Sequence, residues 1–379
     1  MINGKIVSAM EEERFNRVKT SLAYFPYNSV QNILQQNKIR MQDVDLIVST
    51  GEIYPLLKKK IQNQLIQFFG YSPKIILMPH YLAHAYGAYY SSGFDKSLVI
   101  SIDAMGDNVS MYAANATKKK FNEIFRSGKD LYGESLGIFY SAFAEFLGWR
   151  RSEGEYKMMG MAAYGKKLLN LDGIIKVSND PFKIKVNSNL THLGRRKIPI
   201  TSSFEPMVDF NFLLKNSKFK KSFKQSSNKK FTQYHFDLAY SVQKKYEEVL
   251  IKIVTKFRGT HTNLCLSGGC ALNCLANSYL LKHFKNIYVM PAASDRGLSI
   301  GCAYFGGKKN KIKTYPVKTM FLGKSYNNKE ILKTIQLSGV KFKKCNSNKE
   351  AANDLLSGKI VGWFKGRSEF GPRALGARS

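Results

Sequence analysis

The sequence predicts an α/β fold, and three observations carry that expectation. Apolar runs of strand length alternate with amphipathic helical stretches along most of the chain. One strand runs directly into a glycine turn, Ser267-Gly268-Gly269, that opens a helix. The 379 residues exceed one ordinary domain, and 44% hydrophobic content excludes a disordered chain.

Residues 4–9 (G-K-I-V-S-A) read as a first strand, followed at once by E-E-E-R-F-N-R-V-K. A sheet of this class ordinarily has a partner strand before such a junction. Residues 26–36 read as a helix with Pro26 near its start. Residues 44–50 predict a strand, 61–69 an amphipathic helix and 74–78 another strand. H-Y-L-A-H-A-Y-G-A-Y-Y comes next. With Pro79 setting the N-terminus and residues 81–90 continuing as helix, His80 and His84 share one face, one turn apart. Residues 97–102 form a short buried strand that delivers Asp103 at its end. A-M-G-D then makes a tight glycine turn into a second strand starting at Val109.

Residues 132–149 predict a long aromatic helix interrupted by glycines. Residues 151–166 (R-S-E-G-E-Y-K-M-M-G-M-A-A-Y-G-K) read as a flexible turn or a loop that approaches a ligand closely. Residues 168–230 say least: a strand-like run at 182–186, R-R-K at 195–197, and a basic stretch at 218–230 that reads as a solvated loop. Residues 236–257 carry Ala239, Val242, Tyr246, Val249, Leu250 and Ile253 at helical spacing. In N-L-C-L-S-G-G-C-A-L-N a buried strand ends in the glycine turn, and a helix begins at about Cys270, an arrangement suited to a phosphate or nucleotide. In P-A-A-S-D-R-G-L-S-I-G, Asp295 sits in a loop beside Gly297 with a small-residue helix behind it. These two units, facing the histidine helix, predict a cleft between two related α/β lobes. Residues 360–364 predict a last strand before K-G-R-S-E-F-G-P-R-A-L-G-A-R-S, where Arg367, Arg373 and Arg378 surround a Gly-Pro turn suited to an anion.

Two histidines one helical turn apart can hold a single metal ion. An isolated H-x-x-x-H is more often a pair of ordinary helix histidines, but an aspartate at the end of the following strand points to a mixed nitrogen and oxygen site. Composition narrows the partners. The 59 basic and 27 acidic residues give a net charge of +32, which favours anionic ligands and speaks to association rather than fold. The lysines are dispersed among asparagine, isoleucine and phenylalanine, so specific nucleic-acid binding is not expected. Five cysteines without C-x-x-C spacing give neither a disulfide framework nor a zinc knuckle. No apolar run reaches the length of a membrane span, and a cytoplasmic location is expected.

H-Y-L-A-H with I-D-A-M-G-D, E-Y-K-M-M-G-M-A-A-Y-G, L-S-G-G-C-A-L-N, P-A-A-S-D-R-G-L-S-I-G and G-R-S-E-F-G-P-R-A-L-G-A-R-S occur in one order, after E-E-E-R-F-N-R-V-K. Together they resemble the O-carbamoyltransferases of the nodulation and antibiotic-tailoring type. The resemblance implies an actin/sugar-kinase-like duplicated ATPase fold over residues 1–350, related to the tRNA threonylcarbamoyl transferases. It implies the start of a threonylcarbamoyl-adenylate-synthase-like activating domain over 351–379. In such enzymes carbamoyl phosphate and ATP, with Mg²⁺, give carbamoyl-adenylate, and the carbamoyl group passes to a hydroxyl of a sugar or secondary metabolite at a metal centre. Carried onto this sequence, the metal ligands are His80, His84, Asp103 and Asp295, with iron(II) the expected ion. Ser267, Gly268, Gly269, Asn273 and Asp295 lie along the nucleotide. Lys19 and Asp103 serve the carbamoyl transfer, and Arg373 holds carbamoyl phosphate.

Relative to that family, a glycine-turn strand and an active-site histidine ahead of Gly4 are missing, and the activating domain is represented by little more than its G-P-R-A-L-G segment. The isolated chain is therefore expected not to make carbamoyl-adenylate: it would need a separate activating subunit, be an inactive remnant, or be an incomplete sequence. Two other readings compete. One is a threonylcarbamoyl-transfer enzyme acting on tRNA, which the terminal G-P-R-A-L-G stretch disfavours. The other is a basic polyanion-binding protein using residues 218–230.

Overall fold

The computed structural model describes residues 1–21, 24–128, 133–166, 169–179, 182–190 and 231–378. The chain divides into two compact units, the first formed by residues 1–47, 56–76 and 306–379, the second by 48–55 and 77–305. It passes between them along β1 (Leu46–Thr50) and β2 (Lys74–Met78), which pair in a two-stranded sheet.

In the first unit a single helical turn, α1 (Glu13–Asn16), precedes α2 (Tyr27–Asn37) and α3 (Leu57–Phe69). The carboxylate of Glu12 caps α2 from a distance in sequence. It accepts the backbone N–H groups of Asn28 and Ser29 at 3.2 and 2.8 Å, satisfying donors that the first turn of a helix leaves open. Residues 4–9 are not a ladder strand. Gly4 and Ala9 instead make single backbone bonds to Tyr315 and Leu322. Residues 360–364 likewise make only an isolated bridge, Phe364 to Arg378, and Ile360 lies fully exposed. Apolar alternation does not make a strand where no neighbouring strand offers a ladder. Among the described residues, helices Asn328–Leu337 and Ser347–Leu356 bury none of theirs.

The second unit is organised around β3 (Lys96–Gly106). With α4 (His80–Ser92) ahead of it, β3 forms a five-stranded mixed sheet with β4 (Val109–Thr117), β5 (Phe121–Arg126), β8 (Asn263–Ser267) and β9 (Asn286–Val289), in the order β5-β4-β3-β8-β9. β3 pairs antiparallel with β4 and parallel with β8, and β8 runs parallel to β9. Leu98, Val99 and Ile100 have no solvent-exposed surface, as expected of a strand covered on both faces. β6 (Ile175–Asn179) and β7 (Phe182–Val186) pair antiparallel in a separate two-stranded sheet.

Helices bring the remaining chemistry to this sheet. α5 (Leu136–Phe146) begins later than the aromatic pattern suggests. Ser135 accepts the Ile138 N–H at 3.1 Å and fixes the start there, while Tyr132 lies outside the described residues. The methionine-rich stretch is mostly helical rather than a loop: α6 (Glu155–Met161) and the 3₁₀ turn Ala162–Tyr164, beside α7 (Gln233–Arg258). After β8 the chain makes a 3₁₀ turn, Gly269–Leu272, and then α8 (Cys274–Tyr279), so the regular helix starts four residues after Cys270. A further 3₁₀ turn, Asp295–Gly297, leads into α9 (Leu298–Lys309).

α9 lies against α4 through small residues. A Cβ at Gly301 would stand 1.8 Å from the Ala83 carbonyl oxygen, whereas a Cβ at Gly87 would meet only ordinary contacts from 3.6 Å outward. Gly301→Ala is therefore expected to destabilise the protein by about 1–3 kcal/mol. Gly87→Ala should be neutral or stabilising by up to about 1 kcal/mol through helix propensity. Urea unfolding monitored by circular dichroism separates the two, and equal midpoints for both variants would contradict the close packing.

Candidate metal centre and active site

The site begins with an irregularity in β3. Its register with β4 runs evenly to Ile102 opposite Met111 and resumes at Gly106 opposite Val109, so Asp103, Ala104 and Met105 stand opposite Ser110 alone. Such a bulge turns a side chain out of the regular alternation. The Ser135 hydroxyl serves the carbonyls released by it, 2.6 Å from the Ala104 oxygen and 3.2 Å from that of Asp103. The hairpin that follows is turned by Asp107 and Asn108 at φ 50° and 63°, not by the glycine. Gly106 answers a different need, since a Cβ there would lie 2.2 Å from the His80 ring. Asp107 then accepts the His80 N–H at 2.7 Å and caps α4.

Asp103 uses its two oxygens differently. Oδ1 accepts the N–H groups of Ala104 at 2.8 Å and Gly269 at 3.2 Å. Oδ2 lies 3.2 Å from both His80 Nε2 and His84 Nε2, which are 3.1 Å from each other. Asp295 Oδ1 completes the group at 3.3 Å from His80 Nε2 and 3.5 Å from His84 Nε2. The four donor atoms lie within 4.8 Å of one another. The His84 side chain is 1% exposed and that of Asp295 69%, so the cluster is closed behind and open on the Asp295 side.

Burial opposes charge on His80, but hydrogen bonds to Asp103 and Asp295 outweigh it and lift the imidazole to about 10. His84 is raised by the same carboxylates, against deeper burial and the like charge of His80. Asp103 is held well below the usual carboxylate range by the two imidazoles, although its burial works the other way. The spacing suits a cation. Donors around one tetrahedral ion at about 2.0–2.1 Å stand roughly 3.3 Å apart, and two imidazole nitrogens facing each other gain more from a shared cation than from each other. Two imidazoles and two carboxylates are a donor set for first-row divalent metals.

The other sequence-derived residues fall in three places. Ser267 and the glycine turn adjoin the cluster: Ser267 Oγ is 3.5 Å from His84 Nδ1, and a Cβ at Gly268, where φ is +85°, would lie 2.1 Å from the Ile102 carbonyl. Asn273 is buried, and its amide oxygen caps α8 by accepting Ala276 N–H at 3.0 Å. Lys19 and Arg373 belong to the first unit, both exposed. Arg367 and Arg378, grouped in sequence with Arg373 as an anion site, spend donors on backbone carbonyls: Arg367 on that of Gly323 at 3.0 Å, tying the terminal segment to residues 322–323, and Arg378 on that of Lys365 at 2.8 Å, within its own segment. Residues 195–197 and 218–230, including the basic run, lie outside the described residues. Gly106, Asp107 and Ser135 escaped the sequence reading. Asp107 and Gly106 stood inside the I-D-A-M-G-D motif, but nothing in the sequence says that a helix start and a histidine ring rest on them.

Family models match both parts of this chain: the Carbamoyltransferase N-terminus over residues 50–304 and the Carbamoyltransferase C-terminus over 352–379. The chain belongs to the carbamoyltransferase family. An uncharacterized protein of Synechocystis is 29% identical over the whole chain and 67% of its own length. Nodulation protein NolNO of Sinorhizobium fredii is 28% identical over the whole chain, which spans 56% of that relative. The 3'-hydroxymethylcephem-O-carbamoyltransferase of Streptomyces clavuligerus is 32% identical over 31% of this chain and 22% of its own. Among solved structures, full-length HypF in the phosphate- and nucleotide-bound form superposes with a TM-score of 0.48 at 13% identity, over 76% of this chain and 50% of that one. Among the described residues no helix is long and apolar enough to cross a membrane.

His80→Ala and His84→Ala should each abolish tight binding of a divalent cation such as cobalt(II). Gly106→Ala, which displaces the His80 ring, should weaken it by about tenfold or more. Isothermal titration of the metal-stripped protein checks all three, and undiminished affinity in His84→Ala would rule out this cluster as the binding site.

Proposed function

We propose that this chain carries the transfer half of a carbamoyltransferase. It moves a carbamoyl group from carbamoyl-adenylate, made from carbamoyl phosphate and ATP with Mg²⁺, to a hydroxyl of a sugar or secondary-metabolite acceptor. The observation that carries this is the convergence of His80, His84, Asp103 and Asp295 within the stretch matched by the Carbamoyltransferase N-terminus model. The actin-like two-lobed fold, the transfer domain over residues 1–350 and the activating domain starting at 351 belong to the same proposal.

Adenylate is a good leaving group, so transfer needs positioning, polarisation of the carbonyl and help for the acceptor hydroxyl as it loses its proton. His80, His84, Asp103 and Asp295 would hold iron(II) or another divalent cation, which supplies charge stabilisation for oxygens bound to it and acidifies a bound hydroxyl. Asp295, the solvent-facing member, borders the side from which substrate enters. The turn after β8, with Gly268 and Gly269, brings backbone close to the adenylate, and Asn273 fixes that turn through its cap on α8. Lys19 sets a positive charge against the oxygen of the carbamoyl group in the transition state, and Arg373 binds carbamoyl phosphate. The transfer needs no thiol nucleophile, and burial pushes the Cys265 and Cys302 thiols up, to about 11 and about 12.

The full chain, given carbamoyl-adenylate generated by a separate activating enzyme together with a divalent cation, should transfer ¹⁴C-carbamoyl to a hydroxyl acceptor from a panel of aminoglycosides, hydroxymethylcephems and chito-oligosaccharides. His84→Ala should lower the rate by about 100-fold or more, as the loss of several kcal/mol of charge stabilisation requires. Transfer that is insensitive to chelation and to His84→Ala would falsify the metal-centred mechanism.

A further inference from the structure

We propose that Gln243 and Tyr246 of α7 are positioning residues for the cation site, acting on Asp103 through the turn of residues 267–273. The inference rests on the metal-centre reading above and adds the elements that hold the centre in register.

Gln243 is 2% exposed, and its amide has all four hydrogen-bonding positions filled. Its oxygen accepts from Tyr140 Oη at 2.7 Å and Asn273 Nδ2 at 2.9 Å. Its nitrogen donates to Glu247 Oε1 and to Asn273 Oδ1, each at 3.0 Å. An amide with four partners has one orientation, and the reciprocal pair with Asn273 fixes the far end of the turn. Three residues along α7, Tyr246 donates to the Cys270 carbonyl at 2.8 Å, an oxygen that also accepts Asn273 N–H at 3.2 Å.

Cys270 directly follows Gly269, whose N–H is, among the described residues, one of two groups that hydrogen-bond Asp103 Oδ1. α7 thus grips the turn at Cys270 and at Asn273, while Gly268 packs against the Ile102 carbonyl from the β3 side. If the grip loosens, Gly269 withdraws and the carboxylate gains rotation about its terminal torsion. Oδ2, which must face two imidazoles at 3.2 Å, then loses its aim. Among the described residues neither Gln243 nor Tyr246 bonds a member of the cluster, so each acts at one remove. Groups that hydrogen-bond a metal ligand directly, as the Gly269 N–H does Asp103, typically change affinity by about 10–100-fold, and the α7 residues act through that group.

Cobalt(II) alone, titrated into the full chain, is the probe, read by calorimetry and by its visible absorption band. Tyr246→Phe and Gln243→Met are each expected to raise the dissociation constant by about tenfold or more and to alter the band. Tyr89→Phe serves as the control. It removes the same kind of bond, to the Asp95 carbonyl at 2.8 Å, at the far end of α4, and should lower the melting temperature while leaving affinity and band unchanged. If both α7 variants lower the melting temperature but keep wild-type affinity and band, their role is merely structural and the proposal is overturned. Should either fail to fold, Tyr140→Phe, which removes one of the four bonds to Gln243, decides by the same readouts. A wild-type chain that binds no cobalt overturns the metal-centre reading and this inference together, a result distinct from a wild type that binds and variants that bind equally well.

Discussion

The candidate site depends on one carboxylate held at one oxygen and presented by the other. Asp103 Oδ1 is tied to two backbone N–H groups, and Oδ2 is left to two imidazoles. A carboxylate with both oxygens free would rotate, and the buried His84 and half-buried His80 would lose the negative charge that offsets their desolvation. Backbone donors achieve this without side-chain entropy, but only if the chain places them. That placement requires the bulge in β3, the tight turn after β8 and the parallel pairing that sets the two strands side by side.

From that constraint much of the second unit follows. The bulge exposes carbonyls that need partners, and the Ser135 hydroxyl supplies one while starting α5. The hairpin beyond the bulge positions Asp107 to cap the histidine helix, so one loop sets both a ligand and the helix bearing two others. Glycines occur where backbone or a ring must come closer than a Cβ allows: Gly106 against His80, Gly137 against Ala104, Gly268 against Ile102. α7 buries an apolar face through Leu238, Val242, Val249 and Ile253, and meets the glycine turn with the saturated polar network of Gln243. Such a network specifies one geometry because any slip leaves buried groups unpaired.

Much of this was legible beforehand, for reasons that differ from element to element. The histidine helix, the strands at β2 and β8 and the long α7 were readable because periodicity reports which face is buried. His80 and His84 follow from helical geometry alone. Residues 4–9 and 360–364 misled because a strand is defined by its neighbour, which no local pattern contains. The stretch at 151–166 misled in the other direction: its glycines suggested a loop, yet packing beside α7 makes most of it helical. Arg367 and Arg378 resembled an anion site in sequence, but their guanidinium groups are turned onto backbone carbonyls, those of Gly323 and Lys365.

The sequence by itself determined the α/β class, the pair of histidines on one helical face and membership of a carbamoyl-transferring family, since these rest on local spacing and ordered motifs. Only the tertiary structure decided that Asp103 sits in a bulge, that Asp295 reaches the same point across nearly two hundred residues of chain, and that Gly106, Asp107, Ser135, Gln243 and Tyr246 support them. Spacing fixes what is near along the chain. A coordination site is fixed by distances between segments, and those come from strand register and close packing.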